Sequence, residues 1–473
     1  MPSDTFRADT AVSAAHEALR WYRQATGAQR ADFLDAIAVE LGAVTDELGA
    51  LGTAETGLGP DRLSGEIAQA RITLGLLASW VREGRERVVL HDPADPGFPT
   101  GPRPDMRRVR IPVGVALNFA ASNFPFAFSV AGVDSAAALA VGCPVVVKAH
   151  PGHPLTSRAT AAAVQRASTR VFGEAAAPLQ LIECDEEGIA ALRDPRVAVA
   201  TFTGSAAGGR HLASIAAARP RPIPFYGELG SINPVILTPG AIAARGEDLA
   251  GEYVAEVAFS GGQVCVKPGL LLVPQAHGLD DRIAAHAGAV AEHRLLYPGL
   301  GERYAERRDE VLSIPGARAV HVGRVRRDDD GHVYASPTIV AMSYETARTH
   351  AAVVAEEVFG PLSVVVEYGD VADATADLFA WVPGTLTVSI HLAGHERKAL
   401  RDTVRGLQDH AGRIVVDEWP GAVYATPAQH HGGPWPATTL DTVEATSVGP
   451  TGLARFQRAV SWQNAPADLF PPT

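Results

Sequence analysis

The chain has 473 residues and a mass of 49.6 kDa, beyond the roughly 250–300 residues at which a single core stops growing, so two or more domains are expected. Its 47% hydrophobic and 20% charged residues, with mean hydropathy +0.05, exclude the disordered and membrane-spanning classes. A net charge of −12 and a pI near 5.7 lack the basic face that nucleic-acid binding requires, and three cysteines with no CxxC pair exclude a zinc ribbon and fit a reducing compartment. In chain order, the first ten residues carry Asp4, Arg7 and Asp9 in place of an apolar run, so no secretory signal is read. From Asp9 to Trp80 apolar residues recur at helical spacing (Ala11, Ala14, Ala15, Ala18; Phe33, Leu34, Ile37, Leu41), with a break at Thr56 to Pro60. Residues 88–104 read as a surface loop.

Strands then alternate with helices. Val113–Phe119, Pro144–Lys148, Leu179–Ile182 and Val197–Phe202 read as strands; Phe128–Val141, Leu155–Phe172 and Ala206–Ala217 read as helices. The Ala/Val-rich stretch 130–147 is broken by Asp134, Gly142 and Pro144, so no membrane span is expected. Short β-branched runs alternating with helices predict an α/β fold, a doubly wound parallel sheet covered on both faces. Around Pro222–Glu228 the pattern restarts with another strand and a second α/β unit runs on to about Pro434, with the domain boundary near Gly227; Arg324–Gly331 reads as a solvated turn.

Cys265 lies in Gly261-Gly262-Gln263-Val264-Cys265, where glycines keep bulk away from the sulfur. That setting suits a nucleophile, and a small buried hydrophobe is the alternative. Glu228, at a strand end before Gly230, can act as a general base if burial raises its pKa toward neutrality. Asn123, after the first strand of the sheet and before Pro125, can donate its amide to a developing oxyanion, or else close an Asx turn. Gly204-Ser205-Ala206-Ala207-Gly208-Gly209 follows a strand and opens a helix, a setting that favours phosphate. Lysine occurs only at 148, 267 and 398, and Lys148 ends a strand on the side where such sheets bind ligands. Glu357 and Phe359 sit in a turn that suits a ribose carboxylate contact and a nicotinamide ring, or a surface acid and a core aromatic.

Taken together, Ser122-Asn123-Phe124-Pro125, Val146-Val147-Lys148, Phe202-Thr203-Gly204-Ser205, Glu228-Leu229-Gly230, Gly262-Gln263-Val264-Cys265 and Glu357-Val358-Phe359-Gly360-Pro361 resemble, in order, the motif blocks of the NAD(P)-dependent aldehyde dehydrogenase superfamily. Within it, His150-Pro151-Gly152-His153-Pro154, Gly230-Ser231-Ile232-Asn233-Pro234 and His431-Gly432-Gly433-Pro434-Trp435-Pro436 are similar to the 2-oxoglutarate semialdehyde (2,5-dioxovalerate) dehydrogenase branch. Val266 stands where the family usually has Thr after the nucleophile.

The resemblance implies two doubly wound α/β domains with a strand-exchange element: 1–227 for cofactor, including a strand near 105–112 in the oligomerisation element; 228–434 for catalysis; 435–473 returning to the cofactor domain. It implies Cys265 as nucleophile, Asn123 in the oxyanion hole and Glu228 as the base that hydrolyses a thioester. Lys148, Gly204, Ser205, Gly209, Arg210, Leu229, Gly230, Glu357 and Phe359 are then the cofactor residues. Pro151 replaces the Glu that many NAD-preferring relatives carry, and Arg210 is at hand for a 2′-phosphate, so NADP is expected to be preferred over NAD. A small-molecule aldehyde, a cytoplasmic location and a homodimer or homotetramer joined through Arg107–Ile111 and Ala459–Asn464 complete the expectation, with no metal, nucleic acid or membrane partner. A CoA-acylating aldehyde dehydrogenase and an inactive nucleotide-binding scaffold are the rivals.

Overall fold

The computed structural model describes residues 4–87, 89–174, 177–443, 446–466 and 469. Four helices come first: α1 (Asp4–Tyr22), α2 (Gly27–Ala43), α3 (Thr45–Thr56) and α4 (Pro60–Arg82). Their ends follow local chemistry. Thr26 and Gln29 form a reciprocal capping box at α2, and Gly57 closes α3 in the left-handed conformation at φ 73°.

A five-stranded parallel sheet follows, of β3 (Val115–Phe119), β4 (Val145–Lys148), β5 (Leu179–Ile182), β6 (Val197–Thr203) and β7 (Phe225–Glu228), in the order β5-β4-β3-β6-β7. Helices α5 (Val133–Ala140), α6 (Pro154–Phe172), α7 (Asp185–Arg193) and α8 (Ala206–Ala217) connect its strands. Every residue of β3 and β4 is buried, as a sheet covered on both faces demands. Ahead of it, β1 (Leu90–Asp92) pairs with β2 (Met106–Pro112), which pairs along its whole length with the last strand, Gln457–Gln463.

The second sheet begins with β8 (Val235–Leu237), helix α9 (Pro239–Ala258) and β9 (Leu270–Pro274). The strands β10 (His293–Arg294), β11 (Arg318–His321), β12 (Val325–Arg327), β13 (Val333–Ala335), β14 (Thr338–Ser343), β15 (Leu362–Tyr368), β16 (Thr385–His391), β17 (Ala411–Val416) and β18 (Gln457–Gln463) complete the chain. Seven of them form one sheet, β11-β14-β15-β9-β8-β16-β17, parallel except for β11.

Three sequence expectations are corrected. Phe128–Val141 is helical only from Val133, because residues 124–132 fold into turns whose Phe126 and Ala127 N–H groups donate to the buried Glu66 carboxylate, each at 2.8 Å. Arg324–Gly331 is not all turn: Val325–Arg327 pairs with β13, while the Asp328 carboxylate accepts from Asp330 and His332 N–H and closes the hairpin. The loop expected at 88–104 also contains β1.

Candidate active site

The strands of the five-stranded sheet are parallel, so β3, β4, β6 and β7 all end at one edge, where ligands of doubly wound sheets bind. Asn123 follows β3, Lys148 ends β4, Gly204 follows β6 and Glu228 ends β7. Across from them the Cys265 loop enters between α9 and β9. Its tight path needs glycine: Gly262 has φ 67°, and a Cβ there would lie 2.3 Å from the Gly360 carbonyl oxygen.

Three groups anchor that loop. Asn233 Nδ2 donates to the Cys265 carbonyl at 2.8 Å and the Lys267 carbonyl at 3.0 Å; Lys267 Nζ reaches the Leu362 carbonyl at 2.6 Å; Gln263 Oε1 accepts from Leu296 N–H at 2.8 Å. Asn123 Nδ2 donates to the Gln263 carbonyl at 3.0 Å, which ties the β3 turn to the cysteine loop and leaves the second amide hydrogen for a ligand. The Asn123 turn is itself clamped by Glu66 and by His153, whose Nε2 lies 2.8 Å from the Ala121 carbonyl.

The half-buried Cys265 Sγ lies 3.6 Å from His431 Nε2, and the same nitrogen lies 3.3 Å from Glu228 Oε2. Ser447 Oγ donates to that carboxylate oxygen at 3.2 Å. His431 and Glu228 are almost wholly enclosed, with side chains 2% and 5% exposed. Asp134, Tyr226, Ser447 and Arg455 are among the residues lining a narrow pocket beside Glu228. Burial and the Glu228 charge push the Cys265 thiol well above its ordinary value. Glu228 departs from the sequence expectation: burial raises its pKa, but the His431 ring and hydrogen bonds from His431, Cys265 and Ser447 outweigh it, and the carboxyl ends below the usual range. Both statements describe a neutral thiol beside an ionised carboxylate at pH 7, with the His431 ring between them.

The other expected residues gather around this centre. Lys148 Nζ is ion-paired with the exposed Asp185 at the start of α7. Ser205 caps α8 by accepting from Gly208 N–H at 3.2 Å, and Gly204 and Arg210 are exposed beside it. Gly209 packs so closely under Leu229 that a Cβ would lie 2.0 Å from Leu229 Cδ2. Gly230, at φ 105°, passes Glu357, where a Cβ would lie 2.4 Å from the carboxylate. Burial raises Glu357 to about 7 while Lys267 and a Ser231 N–H hydrogen bond pull it down. Phe359 packs, half-buried, against the core of the five-stranded sheet. An open, capped helix start, a lysine at a strand end and closely packed glycines fit a dinucleotide.

Sequence reasoning missed His431 as a chemical group, together with Asn233, Glu66 and Ser447 as positioning groups. His431-Gly432-Gly433 was visible as a motif. Its partners lie 166 residues away at Cys265 and 203 residues away at Glu228, a distance no local pattern bridges.

Fold and site define an α/β enzyme with a thiol between a five-stranded parallel sheet and a second, largely parallel sheet. The chain belongs to the aldehyde dehydrogenase family, whose sequence profile matches residues 3–299, and it is an NAD(P)-dependent enzyme that oxidises an aldehyde to the acid. It is 38% identical over 474 residues to Alpha-ketoglutaric semialdehyde dehydrogenase 2 of Azospirillum brasilense, covering 98% of this chain and 88% of the relative. It is 35% identical over 469 residues to Alpha-ketoglutaric semialdehyde dehydrogenase of Acinetobacter baylyi, covering 98% and 87%. A betaine aldehyde dehydrogenase variant from Staphylococcus aureus, solved with NAD+, shares the fold with a TM-score of 0.81 and 21% identity, over 98% of this chain and 90% of that one. Among the described residues no helix is long and apolar enough to cross a membrane.

Proposed function

We propose that the enzyme oxidises 2-oxoglutarate semialdehyde, or a close semialdehyde with a distal carboxylate, to the dicarboxylic acid, and prefers NADP. The names of the relatives that match nearly the whole chain support the substrate class. Pro151 in place of a carboxylate, and Arg210 exposed beside the start of α8, support the cofactor preference. Lys148, the α8 start at Gly204 and Ser205, Gly209, Leu229, Gly230, Glu357 and Phe359 would hold the dinucleotide, which supplies a hydride acceptor when bound.

The observation that carries the mechanism is the His431 nitrogen shared between sulfur and carboxylate. A thiol held neutral by its surroundings needs a base, and His431 Nε2 takes its proton as the sulfur attacks the aldehyde carbon. Nε2 carries one proton site, so it accepts from the thiol first, and the imidazolium it becomes then presents that Nε2–H to Glu228 Oε2, 3.3 Å away. Asn123 receives the oxyanion. Loss of hydride leaves a thioester on Cys265, and the ionised Glu228 takes a proton from the water that attacks it. The C–S bond breaks, the Cys265 sulfur recovers its proton from His431, the acid departs as carboxylate, and net one water is consumed and two protons are released per turnover. A homo-oligomer is supported by the edge positions of β17 and β18 in their sheets.

The test is kcat/KM across aldehydes varied in chain length and terminal charge, with both cofactors, for the wild type and Arg210→Ala. The proposal expects a maximum at five-carbon semialdehydes bearing a carboxylate, and a rise in KM for NADP greater than that for NAD in the variant. A preference for neutral aldehydes, or a large NAD preference unaffected by the substitution, overturns it.

A further inference from the structure

The three atoms that meet at the active centre also match a geometry that aldehyde oxidation does not call for. A tetrahedral zinc site with Zn–S near 2.3 Å, Zn–N near 2.05 Å and Zn–O near 2.0 Å separates S from N by about 3.5 Å and N from O by about 3.3 Å. Here Cys265 Sγ and His431 Nε2 are 3.6 Å apart, and His431 Nε2 and Glu228 Oε2 are 3.3 Å apart. The donor atoms of the three residues all lie within 4.8 Å of one another, close to the edge lengths of such a site. Glu228 has a second oxygen to offer: Oε1 is buried and makes no hydrogen bond with the described residues. Asn233 holds the Cys265 carbonyl and so fixes the sulfur's backbone.

We propose that Cys265, His431 and Glu228 form a binding site for zinc or a similar borderline-soft divalent cation, and that the ion is a reversible inhibitor. A thiolate and a carboxylate balance the two positive charges, neutral imidazole is the third ligand, and one position stays open to water. The thiol proton is released as the metal–sulfur bond forms, and no electron is transferred. With its lone pair committed to the metal, the sulfur no longer attacks an aldehyde, and with His431 and Glu228 engaged, both bases are withdrawn at once. One other His/Asp/Glu cluster among the described residues, His277, Asp280 and Glu367, differs in kind: the Arg318 guanidinium lies 2.7 Å from Asp280 and 2.9 Å from Glu367 and already supplies the countercharge.

Metal binding at this site goes beyond the proposed reaction, and its spectrum and its effect on alkylation are both seen without turnover. Chelator-treated enzyme is titrated with Co²⁺, and a thiolate-to-cobalt charge-transfer band with intense tetrahedral d–d absorption is expected at one ion per chain. Zn²⁺ bleaches the band, slows Cys265 alkylation by iodoacetamide and blocks NAD(P)H formation, all reversed by EDTA. In His431→Gln and Glu228→Gln, each a near-isosteric loss of one ligand, Zn²⁺ affinity read by competition for the cobalt signal falls on the order of 10²-fold. Binding of unchanged strength in both variants, charge transfer that survives in Cys265→Ala, or a cobalt spectrum without a thiolate band overturns the site. If either variant fails to fold, alkylation of the wild type decides: no protection of Cys265 by Zn²⁺ up to millimolar concentration contradicts the proposal. Absence of NAD(P)H formation in metal-free enzyme with every aldehyde counts against the catalytic reading alone.

Discussion

Replacing Glu228 by Gln deletes a negative charge that lies within 4.8 Å of the Cys265 sulfur and keeps the size of the side chain. At that separation a carboxylate and a thiolate repel by about 3–4 kcal/mol with an effective dielectric near 20. Removing the charge therefore raises the thiolate population at neutral pH by on the order of 10²-fold, since each 1.4 kcal/mol is about a factor of ten. Iodoacetamide should inactivate the Glu228→Gln enzyme faster than the wild type by up to that factor. The same change removes the base for thioester hydrolysis, which is worth roughly 10²–10⁴-fold. Stopped-flow absorbance should show a burst of one NAD(P)H per chain followed by steady-state turnover slower by about that ratio. Faster alkylation with slower turnover is the signature of one carboxylate opposing the thiolate and later serving as base. An alkylation rate equal to wild type, together with undiminished turnover and no burst, refutes the reasoning.

Further expectations concern the groups around the thiol. His431→Phe keeps a ring of similar bulk beside Phe128 but removes the acceptor nitrogen, so kcat/KM at pH 7 should fall on the order of 10²-fold or more. Because the Cys265 thiol is shifted upward, that loss should shrink as the pH is raised and hydroxide replaces the imidazole; a pH profile parallel to the wild type contradicts the assignment. Asn233→Ala orphans the Cys265 and Lys267 carbonyls, and denaturant unfolding should show a loss of about 1–3 kcal/mol, with unchanged stability counting against the anchoring role.

How much of this was legible in the sequence depended on how local each feature is. Cys265, Glu228 and Asn123 stand in short blocks set by backbone demands that a reader can recognise, such as the glycine at 262 that lets the loop pass Gly360. The strands β3 to β7 were visible because a sheet buried on both faces writes continuous apolar runs. The failures were tertiary. Residues 128–132 are apolar enough to suggest a helix, but they lie in turns that follow the Phe126 and Ala127 N–H groups held by Glu66, some sixty residues earlier. Glu228 was expected to be raised by burial, and the residue that reverses the sign, His431, lies 203 positions away on a segment that returns to β7 through the Glu228–Thr438 bridge. His153, visible as a motif histidine, turned out to hold the Asn123 turn by its Ala121 carbonyl.

The central claim is that oxidation passes through a thioester on Cys265. The most direct measurement is intact-mass and peptide mapping of Glu228→Gln enzyme quenched in acid after mixing with 2-oxoglutarate semialdehyde and NADP. The account predicts one acyl group per chain, localised to the peptide containing Cys265 and absent when Cys265 is replaced by Ala. Product formation with no acyl adduct in the Glu228→Gln enzyme, or an adduct that persists in the Cys265→Ala protein, would contradict it.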